Sequence, residues 1–156
     1  MRAAKAAVLV KPTVLEMRSF PVPEVSSGDA ILRLEACGMC GTDYSLYYGD
    51  TKPFPDATGQ PGYPFIPGHE PVGIIEEIGA EASSRWGVQA GDRVAIGANG
   101  AIGLTSISKA PSLLGGYAEY MYVAPTSRVF PVSKSVPVES AATYNALPER
   151  RGERGS

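Results

Sequence analysis

Apolar residues along this chain recur in short alternating runs cut by glycine and proline, a pattern that predicts strands and turns instead of long helices. Ala6 to Val10 and Val14 to Phe20 read as two strands about a Lys11-Pro12-Thr13 turn, with Pro21 and Pro23 ending the second. Ala30 to Ala36 sets Leu32, Leu34 and Ala36 against Arg33 and Glu35, a half-buried strand that delivers the chain to Cys37. Further strands are expected at Val72 to Ile78, Arg93 to Ile96, Arg128 to Val132 and Tyr117 to Val123, the last with Tyr120 and Tyr122 on one face. Helix is expected over Thr42 to Tyr48, with Thr42 or Asp43 as its N-cap, and again from Glu139 to Leu147. Thr51 to Pro64 and Gly97 to Gly103 read as loops, and Glu81 to Ala90 as a turn region in which Trp86 packs. Glu76 and Glu77 read as surface. The fold class expected is mainly β with a few short helices.

Composition adds limits to that picture. With 156 residues, 44% hydrophobic and 19% charged, the chain is long enough for one domain with a real core. A net charge of −2 offers no basic excess to neutralise phosphates, so no nucleic-acid partner is expected. No window approaches the roughly 20 apolar residues that span a bilayer, and MRAAKAAVLV has no cleavage-site pattern after its apolar run, so the expectation is a cytoplasmic protein with no membrane partner. Two cysteines in 156 residues suit a reducing compartment.

The chemistry concentrates between Cys37 and Glu70. This stretch opens with CGMCGTD and closes with PFIPGHEPVG, so it holds both cysteines, a threonine, an aspartate and the single histidine of the chain. A thiolate and a neutral imidazole are ligand types that zinc prefers, and a catalytic zinc takes about three protein ligands. Cys40 and His69 supply two. Glycines flank Cys40, and Pro67-Gly68 bends the backbone just before His69, so each candidate sits where the chain is held to a tight path. The Cys-x-x-Cys spacing also fits a thioredoxin-like redox pair, but such a pair belongs to an alternating βαβ pattern that this chain lacks.

CGMCGTD, PGHEPVG, the GDRVAIG of Gly91 to Gly97 and the GGYAEYMYV of Gly115 to Val123 stand in an order and spacing that resemble the zinc-dependent medium-chain dehydrogenases of the alcohol dehydrogenase superfamily. The likeness runs from about Lys5 to Leu147. It implies a GroES-like, partly open β-barrel over residues 1–147, the catalytic domain of such an enzyme, ending before a nicotinamide-binding Rossmann domain. The tail 148–156 is expected to be a disordered end or an artefact of cloning or reading frame. The resemblance implies that Cys40 and His69 hold a catalytic zinc, which acts as a Lewis acid on an alcohol or carbonyl substrate. Thr42 then relays the alcohol proton, Asp43 orients the His69 ring from behind, and Glu70 is a direct or transient ligand.

A third ligand in relatives comes from a cysteine or glutamate near the domain junction, where this chain has Asn145. Either Glu70 completes the site, or the metal is weakly held, or none is bound. Many relatives carry a four-cysteine lobe after the GDRV strand; this chain has no cysteine there, so no structural zinc is expected. Gly97 to Gly103 is not a dinucleotide fingerprint, and NAD(P) is expected only in a full-length protein that oxidises an alcohol or polyol by hydride transfer. The isolated chain is expected to be inactive and to self-associate, as a homo-oligomer or aggregate, through the face a cofactor domain would cover. A non-catalytic GroES-like binding module and a zinc-free quinone-reductase-like protein are the alternatives. Tyr44, Tyr47, Tyr48 and Phe54 are either a substrate wall or packing.

Overall fold

The computed structural model describes residues 2–50, 62–97 and 101–144. Strands β1 (Ala3–Lys11) and β2 (Val14–Pro21) form an antiparallel hairpin, and β3 (Ala30–Gly38), β4 (Glu70–Ile78), β5 (Arg93–Gly97), β6 (Tyr120–Val123) and β7 (Arg128–Pro131) form a second sheet in the order β6-β3-β4-β5-β7. Every pairing is antiparallel. The edge strands β6 and β7 do not pair with each other, so the sheet stays open. Three short helices complete the described fold: α1 (Gly41–Tyr48), α2 (Ala80–Trp86) and α3 (Val138–Tyr144). None is long and apolar enough to cross a membrane.

One face of the five-stranded sheet covers a common interior, and on β4 and β5 the other face is buried as well, with Val72 and Ala95 clustering with Ala141 and Ala142 of α3. Ala30, Leu32, Ile75, Val94, Ile96, Met121 and Val123 form the principal core, with Trp86 and Val88 closing one end. Trp86 is therefore a packing residue, as its sequence setting predicts. The β1–β2 hairpin brings Ala4, Ala6 and Val8 onto Ile66 and Leu113. Single bridges at Ala6–Ala118 and Leu9–Phe65 tie it to the segments just before β6 and β4. Helix α1 is anchored by Leu46 against Leu9 and Phe65.

Several expectations change in detail. Residues 80–86 form a helix where the sequence reads as a turn region. It has a glycine N-cap with no side-chain bond and is stopped by Gly87 in the left-handed conformation, so neither end carries a polar signal. The strand expected from Tyr117 is regular only over Tyr120–Val123, because Gly116 and Tyr117 instead bond to the backbone of Gly68 and Pro67 and to β1. Strand β4 begins at Glu70, two residues earlier than expected. Glu76 and Glu77 pair with Arg2 at the surface, at 3.2 and 2.8 Å. Phe54, Asn145 and most of the loop expected from Thr51 lie outside the described residues, as does the tail 148–156.

Candidate metal centre

The site forms where β3 runs out and β4 begins. The β3–β4 register slips between Leu34 and Ala36, leaving Glu35 as an extra residue on β3. Such a bulge bends its strand and re-aims the residues beyond it. Cys37 and Gly38 then lie opposite Pro71 and Glu70, and two residues later the chain turns into α1.

Cys40 is the N-cap of α1, in place of the Thr42 or Asp43 that sequence rules favour. Its backbone is extended (φ −113°, ψ 178°), its sulfur accepts the Thr42 N–H at 3.3 Å, and its own N–H donates to Asp43 Oδ2 at 3.0 Å. This is a capping box with a thiol where serine or threonine usually stands. Asp43, three residues on, is thereby fixed by one oxygen and turned inward, 6% exposed.

His69 arrives from the other strand. Gly68 precedes it with φ +93°, a backbone region that side chains rarely adopt. A Cβ at Gly68 would also lie 2.7 Å from the Tyr117 ring and 2.9 Å from Cys37 Sγ. Glycine is thus required twice over at the turn that aims the imidazole. The two ring nitrogens of His69 address different partners: Nε2 lies 3.0 Å from Cys40 Sγ, and Nδ1 lies 3.6 Å from Asp43 Oδ1. That second separation falls just beyond hydrogen-bonding range, and Asp43 Oδ1 is buried without a hydrogen-bond partner among the described residues.

Of the residues singled out from sequence, Cys40, Asp43 and His69 come together, their ligand-type atoms all within 4.8 Å of one another. Glu70 does not join that group. It is buried at 7% exposure beside the end of β3, where a Cβ at Gly38 would collide with its carboxylate. Thr42 reaches the cluster by its backbone N–H, in its bond to the Cys40 sulfur. Cys37 is a different kind of thiol. It packs against Gly68 and Gly116, and burial pushes its pKa up to about 12, with the Asp43 and Glu70 charges adding to the effect and a backbone bond to Glu70 opposing it. It stays a neutral, packed group.

Cys40 Sγ and His69 Nε2 are two donors of the kind zinc prefers, of the about three a catalytic zinc takes, while Asp43 addresses the far side of the ring. With zinc–sulfur and zinc–nitrogen bonds of about 2.3 and about 2.0 Å, tetrahedral coordination separates the two donors by roughly 3.5 Å. The observed 3.0 Å therefore needs an opening of about half an ångström, within the reach of side-chain rotation.

Tyr117 is not among the candidates that the sequence offers, yet its hydroxyl is buried without a partner among the described residues, in the same neighbourhood. Its Gly-Gly-Tyr setting signals a close backbone approach but not what the side chain meets. The tyrosines of α1 divide. Tyr47 packs beside Leu9, Leu46 and Phe65 and donates to the Thr13 carbonyl at 3.3 Å, whereas Tyr44 and Tyr48 are exposed, with ring centres 4.7 Å apart.

Residues 26–134 match the family model described as the alcohol dehydrogenase GroES-like domain. Over 166 aligned residues the chain is 37% identical to a Mycobacterium tuberculosis protein named probable alcohol dehydrogenase adh, covering 92% of this chain and 43% of that protein. It is 38% identical over 93 residues to the erythritol/L-threitol dehydrogenase of Mycolicibacterium smegmatis, covering 58% of this chain and 25% of that one. The chain thus spans less than half the length of these relatives. In fold it is similar to a crystal structure of an alcohol dehydrogenase from Thermotoga maritima, with a TM-score of 0.74 at 21% identity, over 93% of this chain and 45% of the other.

Proposed function

Because the chain belongs to the alcohol dehydrogenase GroES-like domain family, we propose that it is the catalytic domain of an alcohol or polyol dehydrogenase, with a zinc ion held between Cys40 and His69. The observation that carries this reading is the 3.0 Å approach of Cys40 Sγ to His69 Nε2, with Asp43 at the opposite ring nitrogen. Bound there, zinc supplies Lewis-acid polarisation of an alcohol or carbonyl oxygen.

The chain's own residues do the rest. For Nε2 to present its lone pair, the ring proton must sit on Nδ1, and Asp43 Oδ1 is the acceptor on that side. Asp43 thus acts on the tautomer and angle of His69, and its second oxygen keeps the Cys40 cap in place. The Thr42 hydroxyl, two positions after the thiol, carries the proton away from the substrate oxygen. Glu70 is the reserve ligand on the neighbouring strand; it reaches the centre only by swinging off Gly38.

Hydride transfer also needs a nicotinamide. The strands described pair only antiparallel and offer no βαβ unit of the kind that binds a dinucleotide. Relatives extend well beyond the part this chain matches, and in this reading NAD(P) is bound there, so the 156-residue chain by itself is expected to show no aldehyde reduction with NAD(P)H. Metal analysis tests the reading. Stoichiometric zinc that is lost in Cys40→Ser and in His69→Ala, with the fold retained, supports it. A metal-free protein that is equally stable points to a non-catalytic GroES-like module.

A further inference from the structure

Among the described residues, the buried side-chain oxygens without a hydrogen-bond partner are Asp43 Oδ1, the Tyr117 hydroxyl and Ser127 Oγ. Buried polar groups are nearly always paired, so each such atom calls for an explanation. The first two occupy one neighbourhood. The Tyr117 ring lies against the space over Gly68, the residue before His69, with Cδ1 and Cε1 2.7 and 2.9 Å from where a Cβ would be. Its backbone is tied to the same turn: the Tyr117 N–H donates to the Pro67 carbonyl at 3.0 Å, and the Gly116 N–H donates to the Gly68 carbonyl at 2.8 Å. On its other side the Tyr117 carbonyl accepts from Ala7 at 2.8 Å. The ring cannot leave without the His69 turn moving with it.

Burial raises the pKa of this hydroxyl, and the Asp43 carboxylate is the first of the charges that raise it further. Tyr117, with its ring against the residue before His69, offers an unpaired O–H donor, and Asp43 Oδ1, 3.6 Å from His69 Nδ1, is an acceptor that lacks one. Among the described residues Asp43 is hydrogen-bonded through Oδ2 alone and is the carboxylate that faces His69 Nδ1, so a second bond at Oδ1 would fix its plane.

We propose that Tyr117 is a positioning residue of this centre: its hydroxyl donates to Asp43 Oδ1 across one buried water, and so locks the carboxylate that orients His69. The proposal rests on the reading of Cys40 and His69 as metal ligands. Second partners of this kind govern how well a first ligand is presented to its metal.

Tyr117→Phe keeps the ring on Gly68 and removes only the O–H. Cobalt and zinc titrations of the full chain, followed by the cobalt absorption spectrum and by competition with a chelator, are expected to show roughly tenfold weaker binding in Tyr117→Phe. The thermal midpoint of the metal-free protein should stay the same or rise, since an unpaired buried hydroxyl has been removed. In an Asp43→Asn background the same substitution should add no further loss of affinity. Wild-type affinity in Tyr117→Phe overturns the proposal alone, as does a loss of affinity that merely accompanies a fall in metal-free stability. Failure of the wild-type chain to take up either metal overturns the proposal together with the metal-centre reading beneath it.

Discussion

The molecule buries two aspartates to nearly the same depth, Asp29 at 5% exposure and Asp43 at 6%, and places a tyrosine near each. Asp29 is complete. Its Oδ1 accepts the Ser26 N–H at 2.8 Å and its Oδ2 accepts the Tyr122 hydroxyl at 3.0 Å. Asp43 is half complete, with Oδ2 on the Cys40 N–H and Oδ1 open toward His69, while the Tyr117 hydroxyl is likewise without a partner among the described residues. Equal burial with unequal pairing separates two uses of one residue type. A carboxylate whose oxygens are both occupied ties a loop to a strand and has nothing left to offer. One that keeps an oxygen free bears a cost in stability and retains the capacity to act on a neighbour.

That contrast can be broken by experiment. Asp29→Ala strands the Ser26 N–H and the Tyr122 hydroxyl together, and two bonds to a buried carboxylate are worth about 3 kcal/mol or more. Urea denaturation should show a loss of that size with zinc affinity unchanged. A change in affinity would mean that the two aspartates are not separate devices. Gly68→Ala must adopt a left-handed backbone and press its methyl on Tyr117 and Cys37, so stability should fall by about 2–3 kcal/mol. Here zinc affinity should fall too, because the turn that aims His69 has moved.

Asp43→Asn should behave in the opposite way to Asp29→Ala. An amide oxygen can still accept from Cys40, so stability should change by about 1 kcal/mol or less, whereas zinc affinity should drop by roughly 10- to 100-fold. Equal losses in stability at the two aspartates would erase the distinction drawn between them.

The smallest effect is on pH dependence. Burial lifts the Cys37 thiol from its ordinary 9.0 to about 12, so the folded state holds that proton more tightly than the unfolded chain. The resulting stability is fully present below about pH 9 and is lost as pH rises toward 12. Denaturation midpoints taken from pH 8 to 10 should decline more steeply in the wild type than in Cys37→Ala, by about 1 kcal/mol at the upper end. Parallel profiles would mean that the thiol is not shielded as described.

Much of this is legible in the residues. Alternation locates the β1–β2 hairpin and the strand at Ala30, whereas the strands at Val72 and Arg93, buried on both faces, show as short apolar runs between glycines and proline. The order of the motifs carries the GroES-like reading. Cys40 and His69 stand out because thiol and imidazole are scarce in this chain, and glycines lie beside both. Three features are not legible, each for a physical reason. The Cys40 cap escapes sequence rules because cysteine is not among the usual capping side chains, and the sulfur's bond to Thr42 exists only once the chain has turned at the end of β3. Helix α2 has seven residues, no polar cap and a glycine at each end, so neither propensity nor periodicity marks it. Tyr117 reads as one more aromatic of an alternating strand; its place over Gly68 depends on the backbone of Gly116 and Tyr117 meeting Gly68 and Pro67, a contact between distant segments.

The proposed chemistry rests on one sulfur and one ring nitrogen sharing an ion. X-ray absorption at the zinc edge on the zinc-loaded chain tests that sharing most directly, because sulfur and nitrogen neighbours differ in scattering and in distance. The expected spectrum contains a single sulfur near about 2.3 Å and an imidazole nitrogen near about 2.0 Å, with the sulfur lost in Cys40→Ser and the imidazole lost in His69→Ala. A zinc environment of oxygen and nitrogen alone, unchanged by either substitution, would contradict it.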